Sequence, residues 1–310
     1  MSKVSIVVPV HNTAMYVRRC IESLQNQTLQ DIEIILVENG STDSSLEICN
    51  SYAKDDKRIK VIHLDKGDVS VARNIGVDAA SSDYIGFLDS DDAAEIDMFE
   101  VLYSIAAEHD LDIMYSNFVD CYDNGEVKYR YPNDGGLILT DTKGLLSLHF
   151  LHKLPARVCT FIVKNNIMRE VAFPEKTYYE DRAISHMVVA KCNKGGYVRR
   201  ALMRYYHREG STAHVWSWKH YNDFCAAEKG RLQYLHESTM FSNDEKKRLA
   251  KMPSDWMLRK MRYLRKASKT NEQKLAFREM TLALNLIPAG CKLSLKTKTI
   301  KWVFNRLYKK

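Results

Sequence analysis

An apolar run, Tyr84-Ile85-Gly86-Phe87-Leu88, stops abruptly in Asp89-Ser90-Asp91-Asp92, and carboxylates at that density are costly to hold together without a cation. The run reads as a buried strand, and burial would fix the point where the chain emerges at a sheet edge. With strand geometry continuing into the acidic segment, Asp89 and Asp91 share a face while Ser90 turns away. Converging carboxylates suit a hard divalent ion, since Mg²⁺ takes about one or two protein carboxylates and fills its shell with water and substrate phosphates. The competing reading is a solvated acidic turn capping a helix that begins near Ala93, because Asp is a common N-cap.

The elements that would position this cluster alternate in type. Residues 4–8 form a β-rich run closed by Pro9, residues 32–37 form a second, and the helical pattern between them carries Val17, Ile21 and Leu24. Ser41, Thr42 and Asp43 are capping candidates for a further helix, after which residues 60–64 and 84–88 supply two more strands. This alternation predicts an α/β fold with a doubly wound, mostly parallel sheet and a ligand cleft beyond the carboxyl ends of its strands. Four polar clusters fall at those ends: Pro9-Val10-His11-Asn12, Glu38-Asn39-Gly40-Ser41, Leu64-Asp65-Lys66-Gly67 and Asp89-Ser90-Asp91-Asp92. Residues 111–131 then alternate around a hairpin signal, Asp123-Asn124-Gly125, which predicts an insertion beside the cleft. Tyr178-Tyr179-Glu180-Asp181 opens a helix running through Ile184, Met187, Val188 and Lys191. A strand-like run over 197–206 leads to His207-Arg208-Glu209-Gly210-Ser211, and three or four helical segments follow Trp216.

At 310 residues and 45% hydrophobic content, the chain suits a folded α/β domain with an appendage. Its net charge of +7 conceals an asymmetry: residues 215–310 hold 22 Lys and Arg against 8 Asp and Glu, a balance of +14 that leaves −7 for the first 214. The two parts, 1–214 and a basic helical region over 215–310, are therefore expected to do different jobs. The 7 cysteines are odd in number, scattered and free of any C-x-x-C pair, which predicts reduced thiols in a cytoplasmic setting. No apolar stretch nears the roughly 18–20 residues that span a bilayer, and the chain's first residues run straight into a strand, so neither export nor membrane insertion is expected.

Taken in order, these motifs resemble the family 2, inverting type of glycosyltransferase with the GT-A fold. Val4-Ser5-Ile6-Val7-Val8-Pro9-Val10-His11-Asn12 is similar to the family's opening strand, Glu38-Asn39-Gly40-Ser41-Thr42-Asp43 to its second loop, and Ala72-Arg73-Asn74-Ile75-Gly76 to its third motif. Asp89-Ser90-Asp91-Asp92 resembles its metal motif, Glu180-Asp181 the pair supplying its catalytic base, and His207-Arg208 with Ser211 its diphosphate-side motif. The resemblance covers roughly the first two thirds of the chain. It implies a nucleotide-diphosphate sugar donor held by Pro9, Asn12, Glu38, Asn39, Gly67, Arg73, Asp89 and Arg208, with Mn²⁺ or Mg²⁺ on Asp89, Asp91 and His207. An ion bridging the phosphates stabilises the leaving group, and a carboxylate on the opposite face of the sugar, Asp181 with Glu180 as substitute, takes the acceptor proton. A single displacement inverts the anomeric centre. Arg208 would meet the diphosphate with its planar fork.

Plainer roles compete with each assignment. Glu180-Asp181 would also stabilise a helix N-terminus by charge, Arg73 and Asn74 would fix a turn, and Gly67 and Gly76 would mark tight turns or close packing. Arg208 would be a surface arginine, His207 and His214 would make ordinary hydrogen bonds, and His11 has no supported role. At the position of Asn39 the family carries Asp, whose carboxylate accepts from the base, typically uracil. An amide both accepts and donates, so Asn39 would keep base recognition with a weaker preference, or Glu38 would compensate, and a UDP-sugar is the expected donor.

The basic C-terminal part ends without an acidic residue after Glu279, while Ile300, Val303, Phe304 and Leu307 form a helical stripe beside Trp302. That pattern fits a helix lying on an anionic membrane and thus a lipid-linked saccharide acceptor in bacterial polysaccharide assembly; it equally fits a helix docked on its own catalytic domain. A second stripe, Trp256 to Arg265 with Leu258, Met261 and Leu264, reads as core or homodimer contact. Two further functions compete: a non-catalytic polyanion-binding protein on a degenerate GT-A fold, though no nucleic-acid motif is present, and a nucleotidyltransferase. The latter needs a Gly-rich basic loop after the first strand, where this chain has Pro9-Val10-His11-Asn12.

Overall fold

The computed structural model describes residues 2–207 and 217–308. Arg208, Ser211 and His214, the expected boundary at 214, and the Leu307 side chain lie outside the described residues. Strand and helix alternate from the start: β1 (Val4–Val10), α1 (Val17–Gln25), β2 (Ile32–Asn39), α2 (Ser45–Asp55), β3 (Ile59–Leu64), α3 (Val69–Ala79) and β4 (Tyr84–Phe87). There follow β5 (Ala93–Ala94), α4 (Met98–Glu108), β6 (Ile113–Cys121), β7 (Val127–Tyr129), β8 (Leu137–Asp141) and α5 (Thr142–Phe150). The cleft-facing part closes with β9 (Phe161–Lys164), α6 (Asn165–Met168), α7 (Glu180–Lys191) and β10 (Lys194–Tyr206).

One 10-stranded sheet holds the molecule together, in the order β3-β2-β1-β4-β9-β6-β10-β5, with β7 on β6 and β8 on β10. β1, β2, β3, β4, β6 and β10 all point one way, and the short β5, β7, β8 and β9 oppose them. The sheet is thus mostly parallel, as the alternation predicts. β1 and β2 are buried at every position, because helices cover both faces of the sheet and leave no polar face to solvate. Pro9 does not close β1 but sits inside it opposite Val37. The expected hairpin is present: Gly125 adopts φ +81° between β6 and β7, a conformation that favours glycine.

Two local expectations fail for identifiable reasons. The segment from Asp89 is not extended but turns, with the Asp92 N–H donating to the Asp89 carbonyl at 3.0 Å. No helix begins at Ala93. Ala93 and Ala94 pair with Arg204 and Met203 of β10, and the helix waits until Met98, because strand pairing satisfies the backbone first.

Five α-helices rather than three or four complete the described chain: α8 (Trp218–Glu237), α9 (Asn243–Leu249), α10 (Lys251–Ala267), α11 (Asn271–Leu282) and α12 (Leu295–Tyr308). Leu258, Met261 and Leu264 are fully buried inside the chain, so that stripe is core. Phe304 is buried edge-on against Phe277 at 5.6 Å and Ile300 packs beside it, so these two members of the predicted apolar stripe of α12 face their own chain. A single hydrophobic cluster runs from Val4 to Phe304 across both expected parts. The cysteines are free thiols, and all but Cys291 are buried.

Candidate active site

The strand ends meet in a cleft of about 1080 Å³ walled by Pro9, Asn39, Gly67, Arg73, Asp89 and Asp91 on one side and by Glu180 and Asp181 on another. Each loop is braced from behind. Asn12, at φ 49°, accepts from the Thr42 N–H at 2.8 Å, tying the first loop to the second. Glu38 accepts from the Ser41 N–H and from His63 Nδ1, both at 2.6 Å. Burial alone would raise the Glu38 carboxyl, but Ser41 and His63 hold it below its ordinary value. Glu38 is therefore buried behind the wall and not placed to substitute for Asn39, while the exposed Asn12 ties the two loops together. His11, for which the sequence suggests no role, does face the cleft, and its Nδ1–H donates to the Asn39 carbonyl at 2.8 Å.

Asn39 lines the cleft and is buried, yet its Oδ1, packed against Gly67, has no hydrogen-bond partner in the protein. A Cβ on Gly67 would clash with that oxygen, so glycine is required here by the amide and not by a turn. Gly67→Ala is expected to displace Asn39 and weaken nucleotide binding about tenfold, the size of one lost buried hydrogen bond, without loss of fold; calorimetric titration checks this. Asn74 makes both of its amide bonds to the Phe173 backbone, at 2.8 and 3.0 Å, and so fixes a chain crossing, the plainer of its two readings.

Arg73 is the hub. Its guanidinium is buried, donates to Asp89 Oδ1 at 2.7 Å and forms an ion pair with Glu180, joining the acidic turn to the start of α7. Burial alone would lower this guanidinium, but the two carboxylates raise it, so it stays charged. Burial pushes the Glu180 carboxyl above its ordinary value against the pull of Arg73, and the adjacent Asp181 adds to the rise. Tyr179, just before α7, takes the left-handed φ of 64°, rare for an aromatic residue, and this turn delivers Glu180 and Asp181 to the cleft. Asp181 Oδ1 accepts only from the N–H of the next residue, Arg182, at 2.6 Å among the described contacts.

Residues 5–170 match the family model described as glycosyl transferase family 2. The chain belongs to that family. It is 32% identical over 217 residues to the glycosyltransferase GlyG of Streptococcus pneumoniae, covering 67% of this chain and 72% of that one. The same organism's glycosyltransferase GlyA is 31% identical over 232 residues, but the match spans 70% of this chain and only 33% of GlyA. The crystal structure of S. aureus TarS 1–349 in complex with UDP-GlcNAc superposes with a TM-score of 0.74 at 18% identity, covering 92% of this chain and 82% of that one. This likeness identifies the GT-A fold.

In the family 2 cleft, the turn of Asp89 and Asp91 is pinned by two neighbours. Thr13 donates to Ser90 Oγ at 3.0 Å, and Arg19 Nη2 donates to the Asp91 carbonyl at 2.5 Å. Among the described residues no group of three or more His, Cys, Asp or Glu is placed to hold a metal. Two oxygen ligands nevertheless fit an ion that takes the rest of its shell from phosphates and water. His207 stacks on Tyr122 at 4.4 Å and its Nε2 bonds Asp120 Oδ1 at 2.7 Å, the carboxylate that also pairs with Arg130 of the cleft wall.

Several cleft residues escape sequence reasoning. Arg157, half-buried over the Tyr205 ring at 3.9 Å, is lowered by burial but raised by Tyr205, Asp181 and Asp92, and so stays cationic beside the carboxylates. It lies on an irregular segment with no periodicity to mark it. The far wall comes from the C-terminal helices: His220 of α8 stacks on Tyr178 at 3.8 Å, and Phe224, Trp256 and Arg259 line the cleft beside it. Only the tertiary fold brings these residues to the site.

Asp92 is fully buried; its Oδ1 accepts from the Tyr206 N–H at 3.0 Å and its Oδ2 has no partner. Burial, reinforced by Asp91 and Asp89, raises its carboxyl well above the ordinary range. A carboxyl raised in the folded state adds stability below about pH 4 and loses it as pH rises through the folded value. Asp92→Asn keeps the acceptor for Tyr206 and removes the charge. In metal-free buffer its melting midpoint should exceed that of the wild type by about 1–3 °C at pH 7.5, the gain vanishing near pH 4.

Proposed function

We propose that the chain transfers a sugar, with inversion, from a UDP-sugar to an acceptor hydroxyl. The observation that carries this reading is the Arg73 bridge, which holds the Asp89 turn and the Glu180-Asp181 pair on one cleft. Asp89 and Asp91 would hold Mn²⁺ or Mg²⁺, which when bound supplies positive charge for the departing diphosphate. The unpaired Asn39 Oδ1 accepts from the base N–H, and Asp181 takes the acceptor proton. TarS binding UDP-GlcNAc supports a nucleotide-sugar donor. The aromatic wall of Tyr178, His220, Phe224 and Trp256 gives a saccharide acceptor flat apolar faces to rest on, and the basic C-terminal part favours an acceptor that is lipid-linked, in bacterial polysaccharide assembly.

Titration with UDP, GDP and CDP, with and without Mn²⁺, tests the reading. Metal-dependent binding of UDP alone, lost in Asp91→Ala, is expected. Binding of none of the three would leave a non-catalytic protein on this fold, and binding of GDP or CDP in preference would overturn the uridine donor.

A further inference from the structure

α12 has two faces, and the chain packs only one of them. On the inner face Thr297 donates to Asp255 Oδ1 at 2.5 Å and Phe304 packs on Phe277. On the outer face Leu295 and Trp302, seven residues apart and so on one line of the helix, are 83% and 58% exposed. Lys298 and Arg306 lie along the same line, the Arg306 guanidinium 5.2 Å from the Trp302 ring. Beside this line runs a groove of about 410 Å³ between α10 and α12, floored by Ile300, Val303 and Phe304 and rimmed by Arg262, Arg265, Lys266 and Lys296. Among the described residues none of the four rim cations, nor Lys298 or Arg306, pairs with a carboxylate. No helix of the described residues is long and apolar enough to cross a membrane.

We propose that this outer face of α12, with the groove beside it, docks on an anionic lipid bilayer. The surface has the two components that interfacial binding needs: a Leu and a Trp that gain by leaving water, and unpaired cations that gain from acidic headgroups. A single-stranded nucleic acid would use the cations and stack on Trp302 but leave Leu295 and the apolar floor of the groove in water, so lipid accounts for more of the surface. Of the residues that the sequence offers to a membrane, Ile300, Val303 and Phe304 floor the groove, whereas Trp302 stands on the outer face with Leu295. The proposal is independent of sugar transfer and stands or falls without it.

Deleting the helix would strip Phe304 from the core, so point variants are the proper probes. The full chain is sedimented with vesicles of phosphatidylglycerol and phosphatidylcholine, and with phosphatidylcholine alone. Binding is expected to be at least about tenfold tighter on the anionic vesicles, and Leu295→Asp with Trp302→Asp should weaken it by at least about tenfold. Lys296→Glu with Lys298→Glu should weaken it comparably, while the melting midpoint and UDP binding of both variants stay at wild-type values. Three outcomes would overturn the proposal: no vesicle binding by the wild type, undiminished binding by Leu295→Asp/Trp302→Asp, or tighter binding to a single-stranded RNA oligonucleotide that this variant retains in full.

Discussion

Asp181→Asn is expected to slow sugar transfer by about a thousandfold while leaving UDP affinity within about twofold, because it removes the proposed general base without touching the wall proposed to hold the nucleotide. The two neighbouring carboxylates are separated in role by their partners. Glu180 is tied to the buried Arg73, whereas Asp181 lines the cleft and, among the described residues, accepts only the short local bond from Arg182. The base must be free to receive a proton, and an ion-paired carboxylate is the poorer candidate. Glu180→Gln should therefore cost less in rate, about ten- to a hundredfold, and should reveal itself in stability, since it breaks one arm of the Arg73 bridge. Comparing product formation with calorimetric UDP binding separates the two variants. Near-normal transfer by Asp181→Asn together with a collapse in Glu180→Gln would exchange their roles.

The parallel half of the sheet was legible in the sequence because strands buried on both faces have a composition that little else shares, as in β1 and β2. One wall of the cleft was legible for a related reason, since its residues lie at or just beyond the ends of those early elements: Asn39 ends β2, Gly67 lies between β3 and α3, Arg73 is in α3 and the Asp89 turn follows β4. The turn at Asp89 was misread as extended, since whether a strand continues depends on its neighbour, here β10, which is more than a hundred residues away. Arg157, His220, Phe224 and Trp256 were missed for the same reason: they reach the cleft through packing of α8, α10 and an irregular segment. The inward face of α12 was a true ambiguity. An amphipathic stripe is the same whether it meets lipid or Phe277, and only the presence of Phe277 decides.

Arg73→Met should cost about 3 kcal/mol of stability at pH 7.5, at the lower end for breaking a buried ion pair because Asp89 keeps partial access to solvent. The penalty comes less from the lost bonds than from what they leave behind: Glu180, already raised by burial, would face Asp181 without its counter-charge. Its folded-state value would rise further, so the carboxyl would contribute stability below its unfolded value and lose it as the pH climbs through the folded one. The deficit of Arg73→Met should thus be largest above neutral pH and shrink as the pH falls toward the ordinary carboxylate value, about 4, because Glu180 takes up its proton above that value. Denaturant midpoints measured across that range check the slope. Arg73→Lys keeps the charge but cannot span both carboxylates with a planar fork, so it should fall between the two. Arg73→Met combined with Glu180→Gln should regain much of the lost stability at pH 7.5 and none of the lost transfer activity, because neutralising Glu180 removes the stranded charge without restoring the bridge that aligns α7 with the Asp89 turn. A double variant that recovered activity together with stability would show that Arg73 serves the fold alone.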